Sequence, residues 1–216
     1  MSETRAFLFD LDGTLADTLP DLAASTNHVR VQYGLPPVGV DAVRGFVGDG
    51  ARMLLRRALR ERRPDEDEVT EAYELYVAHH DAQCTELSRL FDGAAAYLEA
   101  LRRRGHPVAV VTNKPERFAV PVARALGLFA FTDVVVGGDT LSTRKPDPAM
   151  LQHALDRLGA PAAGATMVGD GLQDLRAGRA LGATTVACLF GYGDPAALRE
   201  EGADAYWSAW PPPDGD

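Results

Sequence analysis

Ala6-Phe7-Leu8-Phe9-Asp10-Leu11-Asp12-Gly13-Thr14-Leu15 is a short apolar run that ends in two aspartates one residue apart, followed by Gly-Thr. An apolar run of this length reads as a buried strand over residues 6–10. Alternate residues of a strand share a face, so Asp10 and Asp12 are expected to project together from its end. Two carboxylates so close repel, and a divalent cation relieves the repulsion for at least one of them. Mg²⁺ favours one or two carboxylates, several waters and a phosphate. Gly13 lets the backbone turn tightly and bring N–H groups near an anion, and Thr14 adds a hydroxyl that can fix the turn. The plain alternative is a strand closed by an Asp-Gly turn.

Downstream of residue 86 the pattern alternates. Helical spacing over 94–104, 116–126, 148–158, 172–181 and 195–201 is interleaved with Val-rich or apolar strands over 107–111, 133–136, 165–168 and 184–189. Ala205 to Trp207 reads as a last edge strand. This order predicts an α/β fold: a doubly wound parallel sheet covered on both faces. Between the first strand and this set lies an all-helical stretch, with helices expected over 17–33, 40–47, 51–62 and 66–84. It reads as a second domain inserted after strand one. The expected division is a core of residues 1–15 and 86–210, an insert of 16–85 and a loose proline tail of 211–216.

The 216 residues carry a formal net charge of −9, with 46% apolar and 25% charged residues. That balance is globular, and the charge argues against nucleic acid or anionic membrane as a partner. A small anionic ligand must be drawn locally. The two cysteines, Cys84 and Cys188, lack metal-ligand spacing and read as reduced thiols of a cytoplasmic protein. No signal peptide is expected, and no window reaches the about 18 apolar residues of a membrane span.

Ligands of open α/β sheets bind beyond the carboxyl ends of the strands. Those ends carry Asp10, Asp12 and Gly13, then Thr112, Asn113 and Lys114, then Lys145, then Asp170 and Asp174. Carboxylates, a hydroxyl, an amide and lysines suit a phosphoryl group held against Mg²⁺. The motifs Asp10-Leu11-Asp12-Gly13-Thr14, Thr112, Lys145 and Gly169-Asp170 with Asp174 resemble those of the haloacid dehalogenase-like hydrolase superfamily. The stretches Asp17-Thr18-Leu19-Pro20-Asp21-Leu22-Ala23, Val47-Gly48-Asp49-Gly50-Ala51, Val111-Thr112-Asn113-Lys114-Pro115, Lys145-Pro146-Asp147-Pro148 and Gly191-Tyr192-Gly193 are similar to its phosphoglycolate phosphatase branch.

The resemblance implies a Rossmann-like core with a helical cap and a Mg²⁺-dependent phosphatase acting on a small phosphorylated metabolite, 2-phosphoglycolate foremost. Asp10 would attack phosphorus and become an aspartyl phosphate, and Asp12 would act as general acid and then base. Asp10, the Asp12 backbone carbonyl and Asp170 would bind Mg²⁺. Asp174 would hold metal-bound waters or orient Lys145. Thr112, the Asn113 N–H and the Gly13 region would grip phosphate oxygens, and Lys145 would neutralise nucleophile and phosphate. In the cap, the glycine loop at Gly50 and the Arg52 guanidinium would meet the substrate carboxylate; the other reading of Arg52 is an exposed helix residue. Gly171 departs from the family's usual Ser or Thr and is expected to weaken support of the metal.

His79-His80 read as a solvated helix face, Glu61 to Glu68 as an exposed turn, and Trp207 and Trp210 as packing residues. Competing functions are a phosphatase of another sugar phosphate or of pyrophosphate and, outside enzymes, a phosphate-sensing or scaffolding protein. A monomer or homodimer is expected.

Overall fold

The computed structural model describes residues 4–132 and 134–213. The central sheet has six strands: β1 (Phe7–Phe9), β4 (Val108–Val111), β5 (Val134–Val136), β6 (Thr166–Gly169), β7 (Thr184–Cys188) and β8 (Ala205–Trp207). Their order is β5-β4-β1-β6-β7-β8, and every neighbouring pair is parallel. The chain runs from β1 to one edge, then crosses back and builds the other half. β1 is therefore flanked by strands of both halves, and the carboxyl end of β1 is the switch point at which such sheets bind ligands.

Strand alternation divides the core into two layers. Phe9, Val110 and Val168 pack on one face with Leu98, Phe118 and Trp210. Leu8, Ala109 and Met167 pack on the other with Met150, Leu151 and Leu155. The covering helices are α5 (Ala94–Arg103), α6 (Glu116–Ala125), α7 (Ala149–Leu158), α8 (Leu172–Leu181) and α9 (Pro195–Glu201).

The insert holds α1 (Leu19–Gln32), α2 (Val40–Arg44), α3 (Ala51–Ala58) and α4 (Glu66–Gln83). Its two crossings are joined by a short antiparallel pair unforeseen in the sequence, β2 (Ala16–Asp17) with β3 (Arg89–Leu90). Buried Asp21 braces them, accepting from Ser88 N at 2.8 Å, Ser88 Oγ at 2.7 Å and Leu87 N at 3.1 Å.

The helix expected over 51–62 breaks at Ala58 and finishes as a 3₁₀ turn, Arg60–Arg62, before left-handed Arg63. Pro64 follows, and a residue before proline disfavours the helical region. The helix expected over 40–47 stops at Arg44, short of Gly45. His80 is not on a solvated face: it is fully buried, beside Ser25, Tyr76 and Phe118. Charge-dense 61–68 is partly a helix start, where the Asp65 carboxylate accepts from Glu68 N at 2.8 Å. Trp210 is buried and packs on Phe9 and Tyr97. Asp133 and tail residues 214–216 lie outside the described residues.

Candidate active site

Strand β1 ends at Phe9, so Asp10 and Asp12 stand in the loop beyond it rather than on a continuing strand. Asp10 N still donates to Val168 O at 2.9 Å, and Leu11 O accepts from Leu15 N and Ala16 N as the chain folds back. The two carboxylates consequently meet different partners. Asp10 is buried and faces Lys145, whose Nζ lies 3.0 Å from its Oδ1. Asp12 is half-buried, and its Oδ1 accepts from Thr18 Oγ1 at 2.6 Å and from Lys114 Nζ at 3.1 Å. Their mutual repulsion is thus relieved in part by two separate lysines. Lys114 stands in the strand-end run Thr112-Asn113-Lys114, but no spacing rule singles it out as the partner of Asp12.

Lys145 reaches the cluster from behind. Its ammonium contacts Asp174 Oδ1 at 2.7 Å and donates to Val111 O at 2.5 Å, and its side chain is fully buried. Asp174 sits at the third position of α8, where its Oδ2 accepts from Gly171 N at 2.9 Å. That bond shows what Gly171 still provides without a hydroxyl. Asp170 is supported from elsewhere: Oδ1 accepts from Thr14 Oγ1 at 2.8 Å and Oδ2 from Tyr192 N at 2.7 Å.

Gly13 has a positive φ of 83°, and a Cβ there would sit 2.3 Å from Asp170 Oδ2. The residue is needed for close approach. Its own N–H donates to Ala16 O at 2.9 Å. Thr112 is buried beside the cavity, and its Oγ1 accepts from Lys114 N at 3.2 Å. Asn113 Nδ2 donates to Lys145 O at 2.9 Å and to Gly48 O of the insert at 3.0 Å, joining the two parts across the site.

One oxygen from each of Asp10, Asp170 and Asp174 lies within 4.8 Å of the others. Burial is the main cause that raises Asp10, to about 6 despite Lys145. Burial also raises Asp170, to about 8, with further push from Asp10 and Asp174. Burial alone would lower the Lys145 ammonium, but Asp10 and Asp174 more than offset it and hold it above its usual range. Asp10 and Asp174 therefore share one ammonium, while Asp170 is held by the uncharged Thr14 hydroxyl and Tyr192 N–H, so the cluster is short of countercharge. Hard oxygen donors in that state fit Mg²⁺. The Asp12 carboxylate is outside the cluster.

A cavity of about 600 Å³ opens above these groups. Asp10, Asp12, Thr112, Lys114 and Asp170 line its core side, and Gly50 and Arg44 its insert side. Lys145 and Asp174 lie behind this lining. Arg52 does not face the cavity. Its Nη2 donates to Thr70 Oγ1 at 2.8 Å, and its guanidinium lies near Glu66 and over the Tyr73 ring. On α3 the side chain at 52 turns toward α4, whereas Ala51 and Leu54 turn inward. Arg44 reaches the cavity instead, donating to Gly191 O at 3.3 Å beside the Tyr192 ring. Arg57 also lines it but is tied to Asp49 and Phe46 O.

The sequence profile of haloacid dehalogenase-like hydrolases matches residues 7–188. A phosphoglycolate phosphatase of Pseudomonas fluorescens is 40% identical over 202 residues, covering 91% of this chain and 74% of that protein. One from Neisseria meningitidis is 36% identical, covering 94% and 88%. A crystal structure described as a predicted phosphoglycolate phosphatase of Haemophilus somnus superimposes with a TM-score of 0.88 at 29% identity, covering 97% of this chain and 96% of the other.

Proposed function

We propose that this chain, which belongs to the haloacid dehalogenase-like hydrolase family and is a phosphoric monoester hydrolase, acts on 2-phosphoglycolate through an aspartyl phosphate on Asp10 with Mg²⁺ as cofactor. The observation that carries the mechanism is Asp10 itself. It is a buried carboxylate on the floor of the cavity, backed by Lys145 and adjacent to Asp170.

An Asp10 oxygen attacks phosphorus as the bond to the leaving alkoxide breaks. Asp12 enters this step protonated and gives that proton to the alkoxide; as the carboxylate left behind, it takes a proton from the water that attacks phosphorus, frees phosphate and restores Asp10. Lys114 and Thr18 fix the Asp12 carboxylate for both steps. Lys145 holds Asp10 in place and offsets its charge. Asp10, Asp170 and the Asp12 carbonyl would hold Mg²⁺, with Asp174 bracing it through water or through Lys145. Bound there, the ion screens the phosphate so that an anionic nucleophile can approach.

The names of the relatives support 2-phosphoglycolate. Its carboxylate would lie toward the insert, where Arg44 and the Gly48–Gly50 backbone line the cavity; Arg52 is not used. The helical insert, about residues 16–85, serves as the cap that excludes bulk water. Two buried free thiols support a reducing, cytoplasmic setting. The size of the cavity favours a second reading, since a two-carbon ester leaves much of about 600 Å³ unfilled: another, larger sugar phosphate.

The test is a panel of phosphate esters with and without Mg²⁺, together with acid-quench trapping of phosphoenzyme. Selective turnover of 2-phosphoglycolate is expected, with label on Asp10. Preference for a larger ester would favour the second reading, and turnover without a trapped intermediate would count against Asp10 as nucleophile.

A further inference from the structure

Tyr192 touches more of this site than its position between two glycines suggests. Its backbone N–H holds Asp170 Oδ2 at 2.7 Å. The fit is tight, because a Cβ at Gly191 would stand 2.3 Å from Asp170 Cβ, and one at Gly193 only 1.9 Å from Asp170 O. The side chain then crosses to the first link between core and insert. Its Oη accepts from Thr18 N at 2.7 Å and Leu19 N at 3.0 Å, and donates to Asp17 Oδ1 at 2.8 Å.

Those bonds serve the first N–H groups of α1, and Asp17 Oδ1 also accepts from Leu19 N at 3.2 Å. The first N–H groups of a helix need an acceptor that the helix cannot supply, and a Thr at the cap position ordinarily offers its own hydroxyl. Thr18 caps α1 but makes no such side-chain bond. Its hydroxyl donates to Asp12 Oδ1 at 2.6 Å instead. The phenol of Tyr192, from 174 residues away, satisfies the backbone and fixes Thr18 where its hydroxyl meets Asp12.

We propose that Tyr192 is a positioning residue for Asp12, acting through Thr18 to aim the carboxylate at the leaving-group oxygen. The inference rests on the reading of Asp12 as general acid. In that step the Asp12 proton passes to the ester oxygen as its bond to phosphorus breaks and the Asp10–phosphorus bond forms.

An alkyl phosphate needs this proton because alkoxide is a strong base; p-nitrophenyl phosphate needs it little. The readout is the ratio of kcat/KM for an alkyl ester to that for p-nitrophenyl phosphate. Both are measured on one preparation, so a fraction of misfolded protein cancels. Asp12→Asn sets the scale. Tyr192→Phe should lower the ratio by about 10-fold, less than the roughly 10²–10⁴-fold of losing the acid itself, because Asp12 is misaimed and not removed. Thr18→Val should do the same, Thr18→Ser should restore it, and Thr18→Val with Tyr192→Phe should fall no further than either alone.

Equal losses on both esters for Tyr192→Phe, or additive losses in the double variant, would overturn the inference while leaving Asp12 as the acid. An unchanged ratio in Asp12→Asn would overturn the acid role itself, and this inference with it.

Discussion

Lys145 and Asp10 form a buried ion pair, with Nζ 3.0 Å from Oδ1 and the two side chains 0% and 9% exposed. The same ammonium reaches Asp174 at 2.7 Å. It approaches from the side away from the cavity, so Asp10 is held without being covered. A carboxylate restrained in this way can be aligned for attack while its open side remains available to phosphorus.

Asp10→Asn should abolish both turnover and phosphoenzyme while leaving the fold intact, since it also removes a like charge from the cluster. Lys145→Ala should keep traces of activity but lower kcat by about 10²–10³-fold, the scale of losing one placed electrostatic contact. Steady-state rates with acid-quench trapping check both. Near-normal rates in Asp10→Asn would rule out the covalent route.

Metal removal should expose the strain in the acidic cluster. Asp170 is raised to about 8, chiefly by burial. A carboxylate raised above its unfolded value near 3.8 contributes stability that is full below that value and lost as pH rises through about 8. Metal-free protein should therefore lose stability, relative to Asp170→Asn, as pH rises from about 5 to about 9. Mg²⁺ should raise the wild-type Tm more at the higher pH and have little effect on the variant. Activity should vanish with EDTA, return with Mg²⁺ and return poorly with Ca²⁺, whose longer bonds and looser geometry disturb alignment. Urea unfolding, thermal melts and rates across that pH range provide the comparison.

Substrate choice should follow Arg44 rather than Arg52. Arg44 lines the cavity, whereas Arg52 is engaged with Thr70 and Glu66. Loss of a charge-assisted hydrogen bond costs roughly 1.5–3 kcal/mol, about 10- to 150-fold. Arg44→Ala should lose that much kcat/KM on 2-phosphoglycolate and little on p-nitrophenyl phosphate, which has no carboxylate. Arg52→Ala should leave both within about threefold, as for a surface substitution. A selective loss in Arg52→Ala would reverse the assignment.

The fold was legible because each strand of the six-stranded sheet is a short Val-rich or apolar run and most of the core helices stop at a glycine, as at Gly159 and Gly182. The loops of the candidate site were legible because strand ends place Asp10, Thr112 and Asp170 without further information. What escaped depends on pairings far apart in the chain. Lys114 meets Asp12 and Tyr192 meets Thr18 across 102 and 174 residues, and no local period encodes either. The orientation of Arg52 turns on one helical step, which a glycine-flanked loop leaves undetermined in sequence. His80 was misread because a polar residue beside another polar residue resembles a solvated face, yet its ring fills the space between Tyr76 and Phe118.

That burial makes His80 a source of acid sensitivity. Its ring is fully buried, with Nδ1 2.9 Å from Ser25 Oγ and Nε2 without a hydrogen-bond partner among the described residues. Burial, with Lys114 and His79 adding, lowers it to about 2 from 6.5. The unfolded chain therefore takes up a proton below about 6.5 that the folded protein refuses. The contribution is fully present above that value and is lost as pH falls toward about 2, at about 1.4 kcal/mol per pH unit. Between pH 7 and about pH 4.5 the loss should reach about 2–3 kcal/mol. His80→Phe, which has no proton to gain, should lack this component whatever its absolute stability. Urea unfolding of both proteins across the range isolates it, because the carboxylate contributions cancel in the difference. Parallel curves for the two proteins would mean that folded His80 is protonated in step with the unfolded chain, by local opening of α4 from α1.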